Sequence, residues 1–177
     1  AEAARRLEGR AQVVAAIAAS PSSTVISGTA GEVERLAGDW AEEGLVPRRV
    51  ASDVAFHSPH IDQVLEDIRQ AAGELRCLTP RLPMYNSSLG DPRALAPRNA
   101  DFWCANSRNP VLFEQAVTAA LEDGFELYLE VSSKPIVAHA LKETADACGR
   151  EHVMVCPSLR EGRPEYPELL ASLARLY

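Results

Sequence analysis

The apolar positions of this chain change period several times, and each change marks an element. Residues 1–9 read as the end of a helix that Gly9 closes. The unbroken apolar run at 13–18 is short for a helix and takes its place as a strand. Ser20-Pro21-Ser22-Ser23 reads as a turn in which nothing orients the serines. A β-branched strand at 24–27 follows, and Gly28 breaks it. Over 30–43, Val33, Leu36, Ala37 and Trp40 fall at i, i+3, i+4 and i+7, which predicts an amphipathic helix ended by Gly44. Thr29 is its expected N-cap, with Glu32 as the partner of a capping box. Residues 47–55 predict a further strand, with Val50, Ser52 and Val54 on one face.

From residue 58 the pattern becomes helices alternating with short apolar strands. A helix is expected at 58–75, with Pro59 in its first turn and Ile61, Val64, Leu65 and Ile68 as its stripe. A short strand at 83–87 ends near Gly90-Asp91-Pro92, and 100–103 opens another helical stretch. Residues 111–123 predict a strong helix with Gly124 at its C-terminal end. Residues 127–131 and 153–156 read as buried strands. Between them, 135–148 is an expected helix with Ile136, Val137, Ala140 and Leu141 inward. The chain closes on an amphipathic helix at 167–177 carrying Leu169, Leu170, Leu173 and Leu176. Such alternation predicts α/β layers with mainly parallel strands. The segment before residue 56 differs: helix, strand, strand, helix, strand fits a small ferredoxin-like unit lacking its first strand.

Composition narrows the class. The chain has 177 residues, 46% hydrophobic and 24% charged, enough for a real core and near the globular average. A net charge of −7 disfavours a nucleic-acid platform and an anionic membrane surface. No apolar run approaches the roughly 20 residues of a membrane span, and no signal-peptide pattern opens the chain, so a cytoplasmic setting is expected. Cys77, Cys104, Cys148 and Cys156 form no C-x-x-C and have no histidine at zinc-ligand spacing. They read as isolated thiols, with no metal site expected.

The densest chemical signal is Asp53-Val54-Ala55-Phe56-His57-Ser58-Pro59-His60. His57 falls where a predicted strand meets a predicted helix, the edge at which α/β folds build sites. A neutral imidazole there suits a general base, whereas a cap or a surface histidine is the plain reading. His60 is expected to be solvated. No G-x-S-x-G elbow occurs anywhere in the chain, and no phosphate loop or dinucleotide fingerprint. Ser58 is adjacent to His57, and adjacent side chains rarely reach Ser–His geometry.

Five blocks, in order, resemble the acyltransferase domain of type I polyketide synthases, a group similar to malonyl-CoA:acyl carrier protein transacylases. Val14-Ala15-Ala16-Ile17 with Pro21-Ser22-Ser23-Thr24-Val25-Ile26-Ser27-Gly28 resembles "VAAxNxPxSxVVSG", with Ala18-Ala19-Ser20 where an Asn often stands. Ala55-Phe56-His57-Ser58-Pro59-His60 is similar to "HAFHSPHM", with Val54 in place of the first His. Ala100-Asp101-Phe102-Trp103 through Asn106-Ser107-Arg108-Asn109-Pro110-Val111-Leu112-Phe113 resembles "AxYWxxNLRxPVxF". Glu130-Val131-Ser132-Ser133-Lys134-Pro135-Ile136-Val137 resembles "EVSPHPVL", Lys134 departing from the usual His. Ser158-Leu159-Arg160-Glu161-Gly162 is similar to "TLRRG".

The resemblance implies an α/β-hydrolase-like acyltransferase core, of which residues 56–177 would be the C-terminal part. Residues 1–55 would be a partial ferredoxin-like small subdomain. It implies ping-pong transfer of a malonyl-type acyl group from CoA to the phosphopantetheine thiol of an acyl carrier protein, with no covalently bound cofactor. His57 would be the base and the Asn106 backbone carbonyl its orienting partner. Phe56, with Ala55, would favour malonyl over a larger extender, although core packing is the plain reading of Phe56. The nucleophilic Ser, and the Arg for the malonyl carboxylate, would lie in an N-terminal half not present here, leaving this chain alone inactive. Two other readings stay open: a non-catalytic module docking an acidic carrier protein through Arg48-Arg49 and Arg160 with Arg163, and a hydrolase using His57 with Ser58.

Overall fold

A computed structural model describes residues 2–10 and 12–176. Helix α1 (Glu2–Arg6) precedes the hairpin β1 (Val13–Ser20) and β2 (Ser23–Gly28), and α2 (Ala30–Glu42) follows. A 3₁₀ helix (Pro59–Val64) runs into α3 (Leu65–Ala72). Then come α4 (Ala100–Arg108), β3 (Val111–Leu112), α5 (Phe113–Glu122), β4 (Leu127–Glu130), α6 (Ala138–Ala147), β5 (Met154–Pro157) and α7 (Glu165–Arg175).

The apolar run at 13–18 is the central strand of a sheet ordered β2-β1-β3. β1 pairs β2 antiparallel through the Pro21-Ser22 turn, and pairs β3 in parallel with Ile17 opposite Val111. The ladder therefore spans the expected boundary at residue 55. Two register shifts, at Ala15/Ile17 and Ala18/Ser20, bend β1. One core gathers Leu7, Val13 and Leu36, with Ala15, Ile26, Val33 and Trp40 packed on it. A second gathers Val117, Leu121, Leu141, Ala145 and Val153 between α5, α6 and the parallel pair β4–β5. β1 packs against both α5 and α6.

Gly28 does more than break the strand. A Cβ there would meet the Gln12 carbonyl oxygen at 2.0 Å, so only glycine permits this closing approach of β2 to β1. Gly124, at φ 88°, ends α5 as expected.

Several expectations are corrected. Thr29 is the N-cap of α2, but its side chain makes no capping bond. Its hydroxyl instead donates to Gln12 Oε1 at 3.4 Å, and Glu32 is drawn to Arg35 at 2.8 Å. Residues 47–55 and 83–87 form no strand. Val46, Val50 and Val54 stay exposed, and this stretch pairs with no strand of either sheet. The expected helix at 58–75 divides into the 3₁₀ turn and a shorter α3. Leu127 and Leu129 on β4, Ile136 before α6, and Leu169, Leu170 and Leu173 on α7 are exposed rather than buried. The Tyr128 and Val155 side of the β4–β5 sheet is covered by α5 and α6. On the other side Cys156 is buried against Ser172 of α7, while Leu127, Leu129 and Met154 stay exposed, whereas parallel sheets are ordinarily covered on both faces. Among the described residues no helix is long and apolar enough to cross a membrane.

Candidate active site

His57 follows an irregular segment, not a strand, and sits in a turn leading into the 3₁₀ helix. Its φ is 58°, the only positive φ of a non-glycine residue among those described. Left-handed backbone costs such a residue about 1–2 kcal/mol. Strain of this kind persists only where surrounding bonds over-determine it, and it clusters at functional sites. Ser58 caps the 3₁₀ helix: its Oγ accepts from the His60 N–H at 3.2 Å and donates to the Ala55 carbonyl at 2.6 Å. Pro59, without an N–H, fits the first turn.

The other wall is the C-terminal end of α4. Asn99 starts that helix by accepting from the Phe102 N–H at 3.0 Å. Pro110 stops it: the residue before proline is pushed to extended backbone, and Asn109 lies at φ −84°, ψ 159°. The last carbonyls of a helix lack intrahelical partners. Here His57 supplies them. Its N–H donates to the Ser107 carbonyl at 3.0 Å, and its Nδ1 lies 2.9 Å from the Asn109 carbonyl oxygen. A carbonyl only accepts, so Nδ1 carries the hydrogen, and in the neutral imidazole Nε2 keeps a lone pair. Arg108 Nε reaches Asp62 Oδ1 at 2.5 Å, tying this helix end to the 3₁₀ helix after His57.

The backbone carbonyl facing the imidazole is thus that of Asn109, not Asn106. Asn106 is still inside α4, where its carbonyl runs along the helix axis, while its side chain donates to Ser88 Oγ. The loop it grips is held by Asn86 Oδ1, which accepts from the Ser88 and Leu89 N–H groups at 2.9 and 3.1 Å. The Asn109-Pro110 dipeptide is the signal that marks the right carbonyl.

Phe56 is 49% exposed, so core packing is not its role in this chain. Its ring lies 6.3 Å from that of His57. Ala55 is half-buried and His60 exposed. Ser20 and Ser22, expected to be unoriented, donate to the two oxygens of Glu143 at 2.6 and 2.8 Å. Those hydroxyls hold the Glu143 carboxyl below its ordinary range, against a smaller opposing effect of burial. Lys134 reaches Glu161 at 3.4 Å on the surface. Arg93 joins Asp123 and Glu122 at the end of α5, and Tyr85 adds a bond of 2.6 Å to Asp123. Arg93 first, then Tyr85, draws the Asp123 carboxyl down to about 2.

No spacing rule marked Glu130. At the end of β4 its carboxylate accepts from the Ile136, Val137 and Ala138 N–H groups at 2.7, 3.2 and 2.8 Å, and from Ser132 Oγ at 3.1 Å. A carboxylate at a helix start gathers such donors.

Comparison with known proteins decides the family. The family described as Acyl transferase domain matches residues 1–176. This chain belongs to that family. The acyltransferase domain is 51% identical over 173 residues to the 5-methyl-1-naphthoate synthase of Streptomyces sahachiroi. It is 41% identical over 174 residues to the 6-methylsalicylic acid synthase of Aspergillus terreus. Each alignment takes in 98% of this chain and 10% of the relative, so the chain spans about a tenth of the curated proteins it matches. The acyltransferase domain from module 8 of the salinomycin polyketide synthase superposes with a TM-score of 0.91 at 27% identity. That superposition covers 98% of this chain and 41% of the solved one. The α/β fold is therefore that of polyketide-synthase acyltransferase domains, and its class is a transferase.

Proposed function

We propose that this acyltransferase domain moves a malonyl-type acyl group from CoA to the phosphopantetheine thiol of an acyl carrier protein, with His57 as general base. The observation that carries the reading is the bond from His57 Nδ1 to the Asn109 carbonyl, which leaves Nε2 free to take a proton. Nε2 takes the proton of a serine hydroxyl as the serine oxygen attacks the thioester carbon. The C–S bond breaks, and the imidazolium returns the proton to the departing CoA sulfur. The carrier thiol then loses its proton to Nε2 and attacks the acyl-serine. The C–O bond breaks, and the serine oxygen takes the proton back.

The serine comes from outside these 177 residues, as does the arginine for the malonyl carboxylate. Ser58 is unsuited to attack, because its hydroxyl is buried and donates to the Ala55 carbonyl. The absent elbow motif and the exposed Leu127, Leu129 and Met154 on one face of the β4–β5 sheet support the same view. In this reading residues 1–55 belong to a ferredoxin-like subdomain and residues 56–177 to a hydrolase-like core. A second segment of the same domain covers Leu127, Leu129 and Met154.

Mass spectrometry after incubation with malonyl-CoA tests this division. The 177-residue chain alone is expected to gain no acyl mass, and the intact protein carrying the domain to gain one acyl group. Acylation of the 177-residue chain by itself removes the external serine from the scheme.

Phe56 stands beside the base on the exposed side, which supports a role in extender choice. One methyl group in a pocket is worth about 10- to 200-fold in discrimination. In the intact protein Phe56→Ser is expected to shift the ratio of kcat/KM toward methylmalonyl-CoA by at least about tenfold, within that range. Competition between the two CoA esters measures it, and an unchanged ratio removes Phe56 from selectivity.

A further inference from the structure

Given the reading of His57 as the base, we infer that Ser58 is a positioning residue that locks the left-handed turn carrying it. The turn is held from two directions. Across the fold, the Ser107 and Asn109 carbonyls grip the His57 N–H and Nδ1. Within the turn, Ser58 links the two sides of His57. Its Oγ holds the Ala55 carbonyl at 2.6 Å on one side of His57 and the His60 N–H at 3.2 Å on the other. Its own carbonyl accepts from the Ile61 N–H at 3.1 Å.

A serine that only caps a helix needs to accept. This one also donates backward, to a carbonyl two residues before His57, and that second bond is what spans the strained residue. Ser58 is 0% exposed, so water does not replace the hydroxyl once it is removed. Without it the turn relaxes toward ordinary negative φ, and the imidazole turns away from the Asn109 carbonyl. Nε2 then loses its fixed direction.

The test uses the intact protein carrying the domain and the variants Ser58→Ala, His57→Gly and both together. Glycine takes φ > 0 without strain. The thermal midpoint is therefore expected to fall on Ser58→Ala when His57 is present, and to fall much less in the His57→Gly background. Folding of the double variant where Ser58→Ala alone fails to fold is the same outcome in stronger form. Equal losses in both backgrounds, or failure to fold in both, reduce Ser58 to a helix cap and overturn the proposal. In transfer assays Ser58→Ala is expected to lower kcat by about 10- to 100-fold with KM for the acyl-CoA unchanged, the loss that follows from misdirecting a reacting group. An unchanged kcat also overturns it. Should His57→Ala retain full transfer, the base assignment fails, and the stability comparison still reports on the turn.

Discussion

Replacing His57 with alanine in the intact protein is expected to slow acyl transfer by about 10²- to 10⁴-fold, the usual contribution of a positioned acid–base group. Alanine removes the imidazole and also leaves a residue with a Cβ at φ 58°, so part of the loss arises from strain in the turn. His57→Asn separates the two effects. Asparagine tolerates the left-handed region and keeps a side-chain donor for the Asn109 carbonyl, but offers no base. Transfer is expected to fall as far in His57→Asn as in His57→Ala, with the thermal midpoint closer to that of the parent. Single-turnover transfer from radiolabelled malonyl-CoA measures the first quantity, and a thermal scan the second. Transfer at the parent rate in His57→Asn excludes His57 from proton movement.

The second large effect concerns stability. Glu130→Ala removes the acceptor shared by the Ile136, Val137 and Ala138 N–H groups and is expected to cost about 1–3 kcal/mol, read as a lower urea midpoint. Glu130→Gln keeps one acceptor oxygen and is expected to lose less. The pH dependence has a definite sign. Burial alone raises the pKa of this carboxyl, but the backbone N–H bonds and Ser132 outweigh it and hold the group below its ordinary value of 4.5. The folded protein therefore binds the proton less readily than the unfolded chain. The stabilisation is complete above 4.5, declines below it, and is lost as pH falls through the depressed folded value. The gap between parent and Glu130→Gln should close on acidification past 4.5. A gap that stays constant down to strong acid excludes the carboxylate as its source.

The elements legible in the sequence are those that carry their own stop signals. α2, α5 and the β1–β2 hairpin have a turn or a glycine at the right place, and the structure keeps them. The unbroken apolar run of β1 reflects a central strand with partners on both edges. Periodicity failed at 47–55, where Val50 and Val54 alternate correctly but meet no sheet edge. It failed differently at Leu129 and Leu173: the pattern marks side chains that need cover, not whether the cover lies in the same chain. His57 stood out through its neighbours, whereas its carbonyl partner was misplaced by three residues. Helix geometry within α4 separates Asn106 from Asn109, and only the proline after Asn109 reveals where the helix lets go. The Glu130 cradle and the grip of Glu143 on Ser20 and Ser22 depend on loops meeting in space, which no local pattern encodes.

The parallel pairing of Ile17 with Val111 also has a meaning in time. A ribosome adding about 5–20 residues per second releases the second partner roughly 5–20 s after the first. Throughout that interval the apolar edge of β1 is made but unpaired. Loop-closure entropy then delays its capture further, as for any contact of high sequence separation. Nascent copies on neighbouring ribosomes compete for that edge, so yield on overexpression should depend on how fast residues 111 and 112 follow. Slower translation through the stretch between them lengthens the exposure, and a chaperone that shields strand edges shortens its effect.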